Sequence, residues 1–420
     1  MIVLVIDALE QIKDSTFYFH KMKFPIKCKL WKFPSEEGAL VNFHENREEY
    51  FGKKYYAHKE SLKSIEHSLK KISKKLFEKH SNLEIVSVSG FRSEREGTRI
   101  TPELCIVMYC SCKSVVPLNE AEFPKCINGI KTDVREGFFY LFPNDGFFKS
   151  SSEELNPLRI GASIGRKGDY KEGTLGGFVT LRTGELGLIT CAHVFFDFAK
   201  SNSPNLRQPF EIVQPSSNCA PNPNVCGVHH ASVFPNNYYK DVSVDATVVK
   251  LECRMPNRGL FSIQRVSELT ECGFSLERLP EYSSGATRDY KSDQESRNNA
   301  CIKCGAKSGL TRGLIRLEGM AAKYGDPQLS LTNPISQASH IYRSQIEISG
   351  TPTFPFAVEG DSGSFVFQVD SAGGEDQLVC IGMIVGGTSY NTACVTPIES
   401  VLGALDVKMN KFSTEKMDES

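Results

Sequence analysis

The chain has 420 residues, with 49 Lys and Arg against 50 Asp and Glu, a formal net charge of −1. That balance gives no global field to attract nucleic acid or an anionic membrane, so neither is expected as a partner. Hydrophobic residues make up 40%, an ordinary globular content, and a chain this long predicts two or three domains.

The first residues, Met1 to Ile6, are apolar, but Asp7, Glu10 and Asp14 follow at once. The run is too short for a secretory leader and lacks a basic start and a cleavage site, so a first strand or buried helix is expected. No apolar run is long enough to span a bilayer. The 14 cysteines are irregularly placed. Cys105, Cys110, Cys191, Cys380 and Cys394 lie in apolar strand-like runs, where they read as small buried hydrophobes. Without a leader, free thiols in the cytoplasm or nucleus are the expectation. Cys301 and Cys304 form one Cys-x-x-Cys, but no second pair is well spaced and Cys110/Cys112 is too tight, so neither metal nor cofactor is predicted. Residues 1–55 alternate short apolar and charged pieces around Trp31 and carry no readable role.

From Lys59 to Lys79, Leu62, Ile65, Leu69, Ile72 and Leu76 recur at steps of three and four, which predicts an amphipathic helix. Its other face carries Lys63, Lys70, Lys71, Lys74, Lys75 and Lys79. Phe77 is the one aromatic residue among them, too little for a nucleic-acid stacking platform, so a solvated face is expected. Strand-like runs follow at Leu83 to Val88, Cys105 to Cys110 and Ile130 to Val134, punctuated by Gly and Pro. Helix then three strands predicts a small α+β domain over 56–150. Phe138 to Pro157 reads as a connection with a polar Ser150-Ser-Ser-Glu-Glu154 linker. Beyond it, short β-rich segments between turns predict a barrel or sandwich.

Three stretches in that part carry chemistry. Gly187-Leu-Ile-Thr-Cys-Ala-His-Val194 is a strand ending at His193, behind the small residues Thr190 and Ala192. Taken alone, His193 also fits a buried histidine bonded to backbone. After a polar insertion at about 201–239, Asp245 opens the Val-rich run Ala246 to Leu251. A buried aspartate needs a partner, and an imidazole N–H suits it; Asp241 is the competing acid. Then Glu359-Gly360-Asp361-Ser362-Gly363-Ser364 sets a serine between glycines, between apolar runs. Such a turn can aim successive N–H groups at one oxyanion; it is also an ordinary strand-to-strand turn.

Thr190-Cys191-Ala192-His193-Val194, Asp245 to Leu251 and Gly360-Asp361-Ser362-Gly363-Ser364 together resemble the three signature segments of chymotrypsin-like (trypsin-like) serine peptidases of the PA clan, in that family's order His, Asp, Ser. The resemblance covers about 158–408. It implies an all-β double six-stranded β-barrel catalytic domain behind the small α+β domain: barrel 1 at about 158–255, a linker at 256–300, barrel 2 at about 301–408 and a polar tail at 409–420. It implies a serine endopeptidase acting on a protein or peptide. His193 is then the base, Asp245 the group that orients it and Ser362 the nucleophile, with the N–H groups of Gly360 and Ser362 as oxyanion hole. Cys380-Ile-Gly-Met-Ile-Val-Gly-Gly387 resembles the strand that holds the substrate backbone, which makes Val385, Gly386 and Gly387 contact candidates. Family spacing puts the specificity-pocket floor near Phe356, an apolar floor that does not attract Lys or Arg.

Departures matter too. Secreted members are activated by a cut whose new amine pairs with the acid corresponding to Asp361. Arg159-Ile160-Gly161-Ala162 mimics that start only weakly. Leu158 to Gly165 instead resembles the opening of an intracellular subgroup, that of plant Narrow Leaf 1, which is left uncut. In it an α+β domain ending in Asp-Val-x-Glu, compare Asp133-Val134-Arg135-Glu136, comes first. The polar segment from Glu281 to Asn299 joins the two barrels as a lid or an autolysis site. Two other readings stay open: a silent or latent module of the same fold that binds without cutting, and a scaffold whose first domain drives homo-oligomerisation.

Overall fold

The computed structural model describes residues 2–6, 16–19, 22–30, 41, 59–94, 99–113, 115–142, 153–196, 209–236, 238–263, 265–274, 280–289, 300–324, 340–351, 354–370 and 377–412. Trp31, most of the linker before Glu153, much of the 201–239 insertion and residues 290–299 lie outside them. The chain divides into two units, Met1–Tyr140 with Gly319–Ile341 and Thr388–Asn391, and Leu141–Glu318 with Tyr342–Gly387 and Thr392–Ser420. The described part is mostly β, with few helices.

In the first unit, β1 (Ile2–Ile6) runs parallel to β3 (Met22–Leu30), and β2 (Thr16–Phe19) pairs antiparallel with β3. The helix α1 (Lys59–Lys79) buries Ile65, Ser68, Leu69, Ser73 and Leu76. Ile72 is only half-buried, and Leu62 lies outside the described side chains. Lys70, Lys71, Lys74, Lys75 and Lys79 are exposed. α1 packs on β4 (Leu83–Ser89). Beyond β4, β5 (Cys105–Cys110) is antiparallel to it, β6 (Cys126–Ile127) forms an edge, and β7 (Ile130–Glu136) runs parallel to β5. β5 sits between β4 and β7 and is buried at every position, whereas β7 alternates buried and half-buried. A strand covered on both faces reads as a continuous apolar run, and one with a wet face alternates. On its other side β4 pairs with Ala321 and Ala322.

Inside this sheet Arg135 is buried with its Nε 2.9 Å from Asp133. Arg135 also donates to Phe91 O (2.6 Å) and Ser89 Oγ (3.2 Å), and Asp133 accepts from the N–H and the hydroxyl of Ser93. The acid and arginine of the Asp-Val-x-Glu stretch thus satisfy each other in the interior, as a buried charge must.

The second unit holds β8 (Ser163–Arg166), β9 (Gly173–Thr174), β10 (Gly177–Thr180), β11 (Leu186–Thr190), β12 (Glu211–Gln214), β13 (Asn224–Val233) and β14 (Ala246–Leu251). Their pairing order is β9-β8-β12-β13-β14-β11-β10. On its far side β10 pairs with Lys408–Met409, the eighth strand of this sheet. A second set follows: β15 (Ala300–Gly305), β16 (Gly309–Tyr324), β17 (His340–Ser349), β18 (Phe365–Asp370), β19 (Gln377–Thr388) and β20 (Thr392–Pro397). Their order is β15-β18-β19-β20-β17-β16, and β16 pairs back onto β15 from Gly305↔Gly309 to Ala300↔Leu314. Short Gly-containing turns favour such antiparallel neighbours. α2 (Ile398–Leu405) follows β20 and buries Ile398, Val401, Leu402 and Leu405, the positions its spacing predicts.

Candidate active site

The local folding that places His193 is short. β11 ends at Thr190, and the chain turns through one 3-10 turn, Ala192–Val194, wholly buried. Asp245 directly precedes β14. β11 and β14 are antiparallel neighbours, with Thr190 opposite Thr247. The end of one and the start of the other therefore meet, and the residues just beyond them face each other. Asp241 stands apart, exposed, at a left-handed φ of 68°.

Ser362 comes from the turn before β18. The turn is fixed to β19 by Gly363 N–H to Ile384 O and Ile384 N–H to Ser364 O, both 2.9 Å, and Thr174 N–H donates to Ser362 O at 2.8 Å. Gly360 and Gly363 have φ of +99° and +94°. Only glycine takes that conformation without strain, which is why this serine needs them on either side.

The three side chains meet. His193 Nδ1 lies 2.5 Å from Asp245 Oδ2, and Nε2 lies 2.7 Å from Ser362 Oγ. Asp245 Oδ1 also accepts the backbone N–H of His193 (3.1 Å), and the Tyr342 hydroxyl donates to Oδ2 (2.8 Å). His193 is 3% exposed; Asp245 and Ser362 are 0% exposed. A carboxylate with three donors is fixed in place. It commits Nδ1 to carry the ring proton, which leaves the Nε2 lone pair for the serine O–H. The arrangement can take a proton from Ser362 and return it to a leaving group.

Asp361, next to the serine, is also wholly buried and is not left unpaired. Lys303 Nζ on β15, equally buried, lies 2.9 Å from its Oδ2. Oδ1 accepts the N–H groups of Lys307 and Ser308, and Oδ2 accepts Val358 N–H (3.0 Å) and the Ser308 hydroxyl (2.5 Å). Lys303 also donates to Ser308 Oγ and to Gly309 O. Ile160 is an internal residue here: its N–H donates to Leu260 O at 2.9 Å.

The remaining predicted positions spread out. Gly360 N–H donates to Phe142 O at 2.5 Å. Val385 O accepts Ser362 Oγ at 3.3 Å, longer than the bond to His193. Gly386 pairs with Cys394 within the sheet, and Gly387 faces the Phe142 ring. Phe356 is buried with its ring against Gly313, and its carbonyl accepts the Thr311 hydroxyl (2.7 Å).

Among the described residues, Cys191, His193 and Asp245 form the one group whose donor atoms, all within 4.8 Å of one another, suit a metal ion. Cys191 Sγ donates to Ile384 O at 3.1 Å, and burial together with Asp245 pushes its thiol far above the ordinary range. A protonated thiol is a poor ligand, and His193 Nδ1 is already committed to Asp245. The cysteines whose side chains are described are free thiols.

Lys303, Tyr342 and Phe142 are the functional neighbours that sequence reasoning missed. Lys303 had a readable signal, a charge inside the small and apolar run Ala300-Cys-Ile-Lys-Cys-Gly305. Tyr342 and Phe142 had none.

No protein-family model matches the chain, and neither does any curated protein. Among solved structures it is similar to a glutamic acid specific serine protease, with 15% identity over 60% of this chain and 100% of that one, at a TM-score of 0.38. A Nocardiopsis protease matches at 14% identity over 60% and 100%, TM-score 0.36. Cellulomonas bogoriensis chymotrypsin matches at 14% identity over 60% and 98%, TM-score 0.34. At TM-scores under 0.5 these likenesses assign no function; the geometry of the site has to do so.

Proposed function

We propose that the protein is a serine endopeptidase of the trypsin-like kind, built on two six-stranded β-barrels, that cleaves protein or peptide substrates through an acyl-enzyme. The observation that supports this most is the continuous chain of short contacts Tyr342–Asp245–His193–Ser362, every member buried. The strand path from β15 to β16, which pairs back onto β15, suits such a barrel. As Ser362 Oγ attacks a substrate carbonyl, Nε2 of His193 takes its proton, and Asp245 stabilises the imidazolium. The carbonyl oxygen becomes an oxyanion, for which the Gly360 and Ser362 N–H groups are the preorganised donors. His193 then protonates the leaving nitrogen, and water repeats the cycle on the ester.

Lys303 supports a site formed without a cut chain end. A buried cation already neutralises Asp361 and holds the turn that aims the Gly360 N–H. An intracellular setting, with free thiols, belongs to the same reading.

The test is hydrolysis of peptide amides by the full chain beside Ser362→Ala and His193→Ala. Loss of either should lower kcat by roughly 10⁴-fold or more. Activity that persists in Ser362→Ala overturns the nucleophile assignment. A latent module of the same fold is the second reading, favoured by one observation: Ser362 is wholly buried and the Gly360 N–H is already engaged.

A further inference from the structure

We infer that the chain ending at Phe142 occupies the protein's own active site as a substrate would, with the Phe142 ring where the side chain before the cut belongs, and that Pro143 keeps this segment uncut. The inference rests on the protease reading above and names its substrate class: chains with an aromatic residue before the scissile bond.

The residues involved, Leu141, Phe142, Gly360, Ser362 and Gly387, all belong to the second unit. The Phe142 carbonyl accepts the Gly360 N–H at 2.5 Å, the bond that a scissile carbonyl makes in an oxyanion hole. The Phe142 ring lies over Gly387: a Cβ built there would collide with Phe142 Cζ. Only glycine leaves that space. Phe142 is 3% exposed, His193 3% and Ser362 0%. A carbonyl at the oxyanion donor and a ring against Gly387 are two separate features of a bound acyl segment, and they coincide on one residue.

Residue 143 is proline. Cleavage after Phe142 would require Ser362 Oγ to bond to the Phe142 carbonyl carbon while His193 takes the hydroxyl proton. The C–N bond would then break as that proton passes to the nitrogen of residue 143, and water would release the Phe142 carboxylate from Ser362. In a prolyl amide the ring Cδ replaces the amide hydrogen and restricts the residue before it. A prolyl nitrogen is therefore harder for an imidazolium to protonate than one that carries a hydrogen. The bond after Phe142 is then expected to stay whole, and a substrate must displace Phe142 to be cut.

The experiment uses four full-length proteins: the parent, Phe142→Asp, Pro143→Ala and Pro143→Ala with Ser362→Ala. Pro143→Ala should cut itself into 1–142 and 143–420 by intact mass, and the double variant should stay whole. Phe142→Asp, which puts a charge where the apolar ring sat, should react with a fluorophosphonate at least ~10-fold faster than the parent. Its Gly360 amide should also exchange hydrogen faster. Peptide amides with Phe before the cut should be hydrolysed by Phe142→Asp at least ~10-fold faster than those with Lys or Glu. Equal labelling of parent and Phe142→Asp, an intact Pro143→Ala chain, or a preference for Lys or Glu overturns the inference. If nothing is labelled but Gly360 exchange rises in Phe142→Asp, the segment does cover the site and the protease reading falls instead. If nothing is labelled and exchange is unchanged, both fall. Pro143→Ala retains every Phe142 contact described, so the test survives if Phe142→Asp does not fold.

Discussion

Among the ion pairs buried within the described residues are Arg135–Asp133 in the first unit and Lys303–Asp361 in the second. Their burial is alike: 1% and 4% side-chain exposure for the first pair, 0% for both members of the second. What they hold is not. Arg135 and Asp133 are two residues apart on one strand and tie it to Ser89, Phe91 and Ser93, all of them structural. Lys303 and Asp361 are 58 positions apart, and Asp361 is bonded to the serine of the site. A buried pair is weak evidence of net stability, because desolvation offsets most of the attraction. Its value depends on what would move if it were lost.

Removing one partner of either pair leaves a buried charge and should cost about 3–5 kcal/mol of stability. Lys303→Met and Arg135→Met should therefore lower the melting temperature comparably. They part in catalysis. Lys303→Met should also lower kcat by roughly 100-fold or more in the folded enzyme, since the Gly360 N–H loses its aim. Arg135→Met should leave kcat of the folded fraction unchanged. Adding Asp361→Asn to Lys303→Met removes the orphan charge and should restore part of the stability without restoring kcat. Equal kcat in the two single variants would erase the distinction between the pairs.

Tyr342 sharpens the comparison inside the second unit. Tyr342→Phe removes one of three donors to Asp245 and keeps the ring's shape. A hydrogen bond to a charged group is worth about 1.5–3 kcal/mol, so kcat/KM should fall roughly 10- to 100-fold. An unchanged kcat/KM would mean that Tyr342 only packs.

The smallest effect is in stability against pH, and the two units should respond with opposite sign. Burial lowers His229, which stacks on Phe210 at 4.7 Å, to about 4. The unfolded chain takes up that proton near the ordinary value of 6.5, so stability is lost as pH falls from about 6.5 to about 4. Burial raises Glu84 to about 7, against the pull of Lys323. Its folded form holds a proton that the unfolded chain releases, so stability is gained as pH falls from about 7 to about 4.5. Melting curves between pH 4 and 7 should steepen for Glu84→Gln, which loses the opposing contribution, and flatten for His229→Gln. The reverse pattern would contradict the signs.

The site was legible in the sequence where local chemistry shapes it. His193, Asp245 and Ser362 each sit at a strand end beside small residues, and three such segments in order narrow the options far more than one. Strand runs were legible for the same reason, from period and punctuation around Leu83, Cys105 and Ile130. What stayed hidden depends on which distant strands become neighbours. Tyr342 reaches Asp245 across 97 positions, and nothing in its own surroundings marks a hydroxyl that supports a carboxylate. Ala321 and Ala322 pair with β4 across more than 230 residues. Phe142 lay in a stretch whose Ser and Glu content reads as connection, and composition does not say that one ring of it is buried. Lys303 lies between these cases, because a lysine in an apolar strand calls for a partner but does not name it.

The central claim is that Ser362 is a nucleophile activated by His193. A fluorophosphonate adduct located by peptide mass spectrometry tests it most directly. Labelling of Phe142→Asp should saturate at one adduct per chain, carried by the peptide containing Ser362, and should vanish when Ser362→Ala or His193→Ala is added. An adduct on any other residue, or none on a folded protein after prolonged incubation at neutral pH, would contradict the account.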